Sequence, residues 1–543
     1  MAESNKKKYD VALYGATMGS NYGGLITYYA LYKAVEKMGY SIGLIPPPLP
    51  KDGKRTESHA IRFCEDYMNI TDSFIRSKMN RLNATADTFL LGSDQIWNYT
   101  LFPGRRETMY LDFVKDSKKK IAYAASFGFD KPTIFPDYPE RYPKTMPAMN
   151  RLDAVAVREA NAVGICNDYY STKATHVMDP VFLLNQDDYK ELADNAVNKP
   201  EGKYMCVYAL SPKRDINKVF QKVSKELNLP RVNMASGNPK KFESKKKNFD
   251  MPYCENLQME EWLYNIMNSD FVVTDSYHCV CFSIIFKKNF VLIQESWAVS
   301  RIESLLDKLG LKNRWFQDYN DFMAHKEVLE QDIDYDEVYK KLEKEIEFSH
   351  NWLKDALATK KKVRCMNMMQ GDKVDAPAYA RMYAEKDAKK YTQILDGLKK
   401  DLIIMMVKKG VNDTAITKVK FFKEGGIGPI TKGKMKSKGF AYIYDYANET
   451  ILKELKNFSY TTYDSNQTKF TCYSEGKAYE MNDKKTAEFV IEQGDRKDIY
   501  TTDRDGLYTL VYSKTENRVI DYVYVDLSEE RKLEVEHLID GAE

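Results

Sequence analysis

The stretch from Glu260 to Ile293 constrains the fold most. It reads helix, strand, loop, helix and strand, and its loop carries Asp275-Ser276-Tyr277-His278. Phe271 to Thr274 is a short apolar β-branched run, the pattern of a buried parallel strand, and Val280 to Phe286 is an apolar run of helical length. The loop therefore sits at the carboxyl end of a strand. In open α/β sheets that is the ligand edge, where the next helix presents free N–H groups and a partial positive charge. An anionic substrate would be held in front of His278.

The same grammar recurs upstream. Val11 to Tyr14 is a strand that opens into a loop with Gly15, Gly19, Gly23 and Gly24 before a helix from about Leu25 to Met38, with Gly39 as the stop. The glycine spacing is not that of a dinucleotide fingerprint, and no acid ends the next strand, Ser41 to Ile45. Either the glycines only let the chain turn tightly, or Asn21, Tyr22 and Gly23 face a ligand. Thr88 to Leu91 leads into Gly92-Ser93-Asp94-Gln95-Ile96-Trp97-Asn98. A carboxylate, an amide and an indole in one strand-end loop suit a sugar, whose hydroxyls need paired donors and acceptors and whose C–H face packs on an aromatic ring; the alternative is a capped turn with Trp97 as a core plug. Lys120 to Ala125 ends at Ser126-Phe127-Gly128, and Ala154 to Val157 ends at Arg158-Glu159.

Near Asp179-Pro180 the first half closes. A new apolar strand, Tyr204 to Leu210, ends at Lys213 and Arg214, two cations that reach for an anion unless they form a solvated basic turn; Arg301 opens a later helix. The long helix Tyr335 to Leu357 is expected to pack back across both halves. The fold class is thus α/β, with two Rossmann-like domains facing a cleft, residues 1–190 and 191–365, followed by an accessory α+β domain, 366–543. A chain of 543 residues is too long for one core. Residues 351–440 hold 21 Lys and Arg against 9 Asp and Glu, and residues 441–543 hold 13 against 22, which sets the last third apart. Its hairpin Leu507 to Ser513 and Arg518 to Leu527 and its many tyrosines read as strand-rich sheet packing.

Composition excludes some classes. A net charge of +3 gives no sign of nucleic acid, and eight scattered cysteines without a Cys-x-x-Cys pair suit reduced thiols in a cytoplasm. No metal site is expected: Cys279 and Cys281 have no further ligands nearby. No signal peptide is visible, and the apolar run Leu402 to Val407 is far below a membrane span. The alternating row Lys432, Lys434, Lys436 and Lys438 either protects an edge strand or meets an anionic membrane surface at the inner face.

Several ordered motifs together carry a family resemblance: Gly-Ser-Asn-Tyr-Gly-Gly at 19–24, Tyr-Ala-Leu at 29–31, Gly-Ser-Asp-Gln-Ile-Trp-Asn at 92–98, Ala-Ser-Phe-Gly at 125–128, Val-Arg-Glu at 157–159, Asp179-Pro180 and Thr-Asp-Ser-Tyr-His at 274–278. Residues from about 9 to 360 resemble the polysaccharide pyruvyl transferase family. The resemblance implies a fold like that of GT-B glycosyltransferases. It also implies transfer of enolpyruvyl from phosphoenolpyruvate, a co-substrate, to a glycan or lipid-linked sugar as a ketal, with no bound cofactor. By similarity His278 would be the acid or base. From the residues themselves Asp275 is expected to be catalytic beside it, Ser276, Lys213, Arg214 and Arg301 to bind the donor, and Asn21, Tyr22, Gly23, Asp94, Gln95, Trp97, Asn98 and Ser126 to bind the acceptor. Characterised branches often carry Arg two residues before this histidine and Gly after it, where this chain has Ser276 and Cys279. A nucleotide-sugar glycosyltransferase and a noncatalytic glycan-binding protein on the same scaffold are the alternatives.

Overall fold

The computed structural model describes residues 9–18, 21–50, 58–98, 101, 107–115, 118–129, 148–149, 151–170, 172–210, 214–235, 257–294, 300–360, 363–365, 377–398, 401–409, 440–445, 450–452, 460–465, 467–477, 485–494, 496–502, 506–526 and 534–538. Two compact units are present, one holding the elements from Tyr9 to Ala358 and the other those from Val363 to His537.

The first unit is built on two parallel sheets. One contains β1 (Tyr9–Tyr14), β2 (Ile42–Leu44), β3 (Ala86–Asp94), β4 (Lys119–Ala125), β5 (Ala154–Val157) and β6 (Thr175–His176), in the order β2-β1-β3-β4-β5-β6. The other contains β7 (Met205–Ala209), β8 (Arg231–Ala235), β9 (Phe271–Thr274), β10 (Phe290–Ile293) and β11 (Trp315–Phe316), in the order β11-β10-β9-β7-β8. Every pairing in both is parallel. Each sheet reverses direction once, at β1/β3 and at β7/β9, and such switch points open the crevices where ligands bind. These are the two Rossmann-like halves the apolar runs imply.

The helices explain why the halves stay together. Helix Tyr22–Lys37 is buried over almost its whole circumference, and helix Tyr277–Ile285 is buried at every position, so neither has a solvent face to offer. Both contribute to one apolar core that also takes Leu13 and Leu90 from the first half and Tyr208, Trp262 and Leu292 from the second. Helix Tyr335–Ala358 spans the joint. Near its start Tyr335 donates to the Lys288 carbonyl at 2.5 Å, while further on Ser349 Oγ accepts from the Met178 amide at 2.9 Å and Trp352 packs on Tyr123.

The second unit is strand-rich. Its strands are β12 (Val363–Cys365), β13 (Leu402–Lys409), β14 (Phe440–Asp445), β15 (Thr450–Leu452), β16 (Tyr460–Ser465), β17 (Thr468–Lys477), β18 (Lys485–Gln493), β19 (Arg496–Thr502), β20 (Gly506–Ser513), β21 (Arg518–Val525) and β22 (Val535–His537). They form sheets of order β12-β19-β18-β17-β16 and β15-β14-β13-β20-β21-β22. The β20–β21 hairpin is antiparallel, as the alternation predicts. Tyr508, Leu510 and Tyr512 enter the core between the sheets, and Leu507 and Val511 face helices Pro377–Ala384 and Ala388–Gly397 on the other side. Tyr500, Tyr508, Tyr512, Tyr522 and Tyr524 are core. The lysine row at 432–438 lies outside the described residues. No described helix is long and apolar enough to cross a membrane.

Candidate functional site

His278 opens helix Tyr277–Ile285 at the carboxyl end of β9, and the turn before it is fixed by its neighbours. Thr274 Oγ1 donates to the Tyr208 carbonyl at 2.7 Å and accepts from the Ser276 amide at 3.0 Å. Asp275 Oδ1 accepts from the Leu210 amide at 2.7 Å, which ties the β9 and β7 loops together. Ser276 is the helix N-cap, with Oγ accepting from the Cys279 amide at 3.4 Å. Asp275 and Ser276, read from sequence as catalytic and donor-binding, are thus placed as a loop fastener and a cap.

The imidazole meets charged groups of the first half. His278 Nε2 lies 3.4 Å from Asp179 Oδ2 and 3.4 Å from Arg158 Nη1. Arg158 follows β5, is 3% exposed, and forks: Nη1 donates to Asp179 Oδ2 at 2.7 Å and Nη2 to Asp94 Oδ1 at 3.0 Å. Asp179 Oδ1 accepts from Thr27 Oγ1 at 2.9 Å and from the Val181 amide at 3.1 Å. Burial works against the Asp179 carboxylate, but facing His278 and Arg158 outweigh it and hold the carboxyl well below its usual range. Asp94 follows the same logic: burial raises it, and Arg158, His278 and Arg301 bring it below normal. Arg158 is raised despite burial, through Asp179 and Asp94.

Two further groups border this cluster. Arg301, at the start of helix Ser300–Leu309, places its guanidinium carbon 5.7 Å from the Tyr277 ring centre, where Arg158 stands at 4.8 Å. Glu159 is fully buried, and its Oε1 accepts from Ser126 Oγ at 2.9 Å and from the amides of Phe127 and Gly128 at 2.8 and 3.3 Å. Burial pushes its carboxyl up, against the pull of Arg158.

Gly23 is required by this arrangement. A Cβ there would lie 2.4 Å from His278 Nδ1, so only glycine lets the first helix close on the imidazole. That helix begins at Tyr22, three residues before the expected start, because Asn21 Oδ1 caps it by accepting from the Gly24 amide at 3.3 Å. Asn21 stays exposed, and Asp94 and Gln95 stay partly so.

Several expected acceptor contacts need correction. Tyr22 is 1% exposed, stacked between His59 and Trp262, with its hydroxyl donating to the Leu257 carbonyl at 2.5 Å. Trp97 is 3% exposed, stacks on Tyr110, and donates from Nε1 to the Met109 carbonyl at 3.0 Å. With faces and polar tips both used, neither ring is a platform for a sugar. Asn98 is buried and donates to Gln95 Oε1 at 2.9 Å, and the Ser126 hydroxyl is spent on Glu159. Lys213 lies outside the described residues, as does the Arg214 side chain; the Arg214 backbone starts helix Arg214–Leu227.

Sequence reasoning passed over Arg158 and Asp179 as site residues, although each was in a quoted motif. The available signal was positional: a cation directly behind a buried parallel strand, and an Asp before Pro at the end of the last strand of the sheet. Cys279 is buried and its thiol is pushed up to about 12 by burial, so it is no nucleophile beside His278. Among the described residues no three His, Cys, Asp or Glu side chains group as metal ligands.

The fold resembles known structures at low identity. A putative UDP-N-acetylglucosamine 2-epimerase from Listeria monocytogenes is 13% identical over 62% of this chain and 91% of its own, with a TM-score of 0.42. The wall teichoic acid polymerase TagF is 12% identical over 66% and 89%, at 0.36, and MurG of Acinetobacter baumannii 10% over 65% and 99%, at 0.34. No curated protein matches the sequence significantly. The family model for polysaccharide pyruvyl transferase matches residues 21–296, just over half of the chain, from the Asn21 cap past His278. With Gly23, Asp94, Arg158, Asp179 and His278 all inside that span and meeting in one cluster, the chain belongs to the polysaccharide pyruvyl transferase family.

Proposed function

We propose that this chain transfers the enolpyruvyl group of phosphoenolpyruvate to two hydroxyls of a sugar in a cell-surface glycan or its lipid-linked precursor, forming a ketal. The observation that carries the reading is the contact of His278, from the second half, with both Asp179 and Arg158 of the first, at 3.4 Å each, inside the span of the family match. Both sugar oxygens add to C2 of the enolpyruvyl group, one hydroxyl proton ends on C3 to make the methyl, and phosphate departs with the other. That needs a group that takes and gives protons, and a cationic wall for an anionic donor. His278 is the proton carrier. Asp179 stabilises the imidazolium as it forms, and the N-terminus of helix Tyr277–Ile285 favours negative charge in front of it. The reaction would run in the cytoplasm, with the acceptor presented at the inner face of the membrane.

The test is incubation of the full chain with phosphoenolpyruvate and a lipid-linked or polysaccharide acceptor, following phosphate release. We expect His278→Ala to lower turnover by roughly 10² to 10⁴ while the protein stays folded. Release of nucleotide from a nucleotide sugar, with no phosphate from phosphoenolpyruvate, would replace this reading with glycosyl transfer. Acceptor binding without any release would make the protein a glycan-binding homologue.

A further inference from the structure

Tyr277 opens the helix that carries His278, one residue before the imidazole. It is 5% exposed, and its hydroxyl is turned to the Cys281 sulfur, four residues on and so on the same face of the helix. Burial, and then Cys281, raise the phenol well above its usual range, so it neither takes nor gives a proton near neutral pH. What this residue offers its surroundings is the ring.

Three charged or polar groups meet that ring. Arg158, from the end of β5, stands with its guanidinium carbon 4.8 Å from the ring centre, and Arg301, from helix Ser300–Leu309, stands at 5.7 Å. The His278 ring meets it edge-on, 5.2 Å between centres at 81°. Arg158 belongs to the first half and Tyr277 to the second, so the ring is a contact between the halves beside the imidazole.

Carboxylates answer the charge of both cations: Asp94 and Asp179 pair with Arg158, and Asp94 and Glu159 face Arg301. They leave two needs unmet. The guanidiniums repel each other, since Arg158 is the second cause, after burial, that holds Arg301 below its usual range. In addition, Arg158 Nε and Arg301 Nε and Nη1 are sealed from solvent with no hydrogen-bond partner among the described residues. An aromatic face suits such groups, because it attracts a guanidinium through its quadrupole, asks for no hydrogen bond and can serve two cations at once. An aliphatic side chain of the same bulk would fill the space without the attraction.

We propose that Tyr277 is a positioning residue whose ring, not its hydroxyl, seats Arg158 and Arg301 and so keeps Arg158 Nη1 at 3.4 Å from His278 Nε2. The inference rests on the transfer reading for what the seat serves, and on the ring geometry alone for the seat itself. Without the ring the two like charges part, and the spacing between Arg158 and His278 opens.

Two readouts on the full-length protein test it: turnover of phosphoenolpyruvate with a polysaccharide acceptor, and the arginine side-chain signals of ¹⁵N-arginine-labelled protein, which a ring this close moves upfield. Tyr277→Phe keeps the ring and should stay within about twofold of wild type in kcat, with the shifted signals present. Tyr277→Leu should lose those signals and lower kcat by roughly tenfold, with the KM for the acceptor unchanged. Thermal denaturation checks that each variant is folded; should Tyr277→Leu fail to fold, Tyr277→Met, which fills the space without a π face, decides. Equal turnover in the Phe and Leu variants, or an equal loss in both, would overturn the role of the ring. If wild type turns over no phosphoenolpyruvate, the transfer reading falls and the spectra decide the seat: shifted signals in Tyr277→Phe but not in Tyr277→Leu keep it, and identical spectra remove it.

Discussion

Gly23→Ala puts the closure of the first helix on His278 to a direct test. The added methyl would sit 2.4 Å from Nδ1, 2.6 Å from Cγ and 2.7 Å from Cβ of His278, where ordinary contact begins near 3.4 Å, so the ring or the helix end must retreat by about 1 Å. The ring has little room, since Asp179 and Arg158 stand on its other nitrogen. Overpacking of this kind costs about 1–3 kcal/mol, while exchanging Gly for Ala in a helix contributes about 0.5–1 kcal/mol the other way, most of it in helix interiors rather than at a second position like this one. The net expectation is destabilisation by about 1–2 kcal/mol, read as a lowered urea midpoint with an unchanged slope, together with lost turnover. Gly24→Ala is the control, because its methyl would meet only Asp94 Oδ2 at 3.2 Å and Asn21 Cβ at 4.0 Å. In a His278→Ala background the two shortest contacts disappear and the third remains, so the cost of Gly23→Ala should shrink without vanishing. A neutral or stabilised Gly23→Ala protein, or an identical cost in both backgrounds, would refute the reasoning.

Arg158→Met leaves Asp94 and Asp179 buried without their shared cation, and breaking such a pair from one side costs about 3–5 kcal/mol. Arg158→Lys should recover little of the denaturation midpoint, since one ammonium cannot serve two carboxylates as a fork does. Asp179 sets an acid limit: its folded value is depressed, so its contribution is complete above the unfolded carboxylate value of about 3.9 and is lost as pH falls through the lower folded value. Stability measured against pH should therefore drop below about pH 4 in the wild type and fall less steeply in Asp179→Asn; equal slopes would contradict the assignment.

The parallel sheets were legible because buried strands are contiguous in sequence: Val11–Tyr14 and Phe271–Thr274 are apolar runs whose ends announce their loops. What a loop residue does depends on partners far along the chain. Trp97 has the same appearance in sequence whether it stacks on a sugar or on Tyr110 and Phe127, and only the packing of those rings decides it. Asp275 is expected to be catalytic from its place in the loop, and only the pairing of β7 beside β9 shows that the Leu210 amide reaches its Oδ1. Arg158 and Asp179 were visible as strand-end charges, but their value lies in meeting each other and in meeting His278, 120 positions beyond Arg158.

The serine at 276 follows from the same dependence on neighbours. Its hydroxyl caps helix Tyr277–Ile285 and its side chain is 2% exposed, so an arginine there would lose the cap and need room for a guanidinium in a filled space. β10 pairs with β9 in register, Leu292 opposite Thr274, so both strands end at the same edge of the sheet. Arg301, in the helix Ser300–Leu309 that follows β10, sets its guanidinium over Tyr277, the residue between Ser276 and His278. The sheet fixes where positive charge must arrive, and adjacent strand ends can each supply it. Positive charge from the helix after β10 can therefore stand beside this turn while position 276 holds the helix.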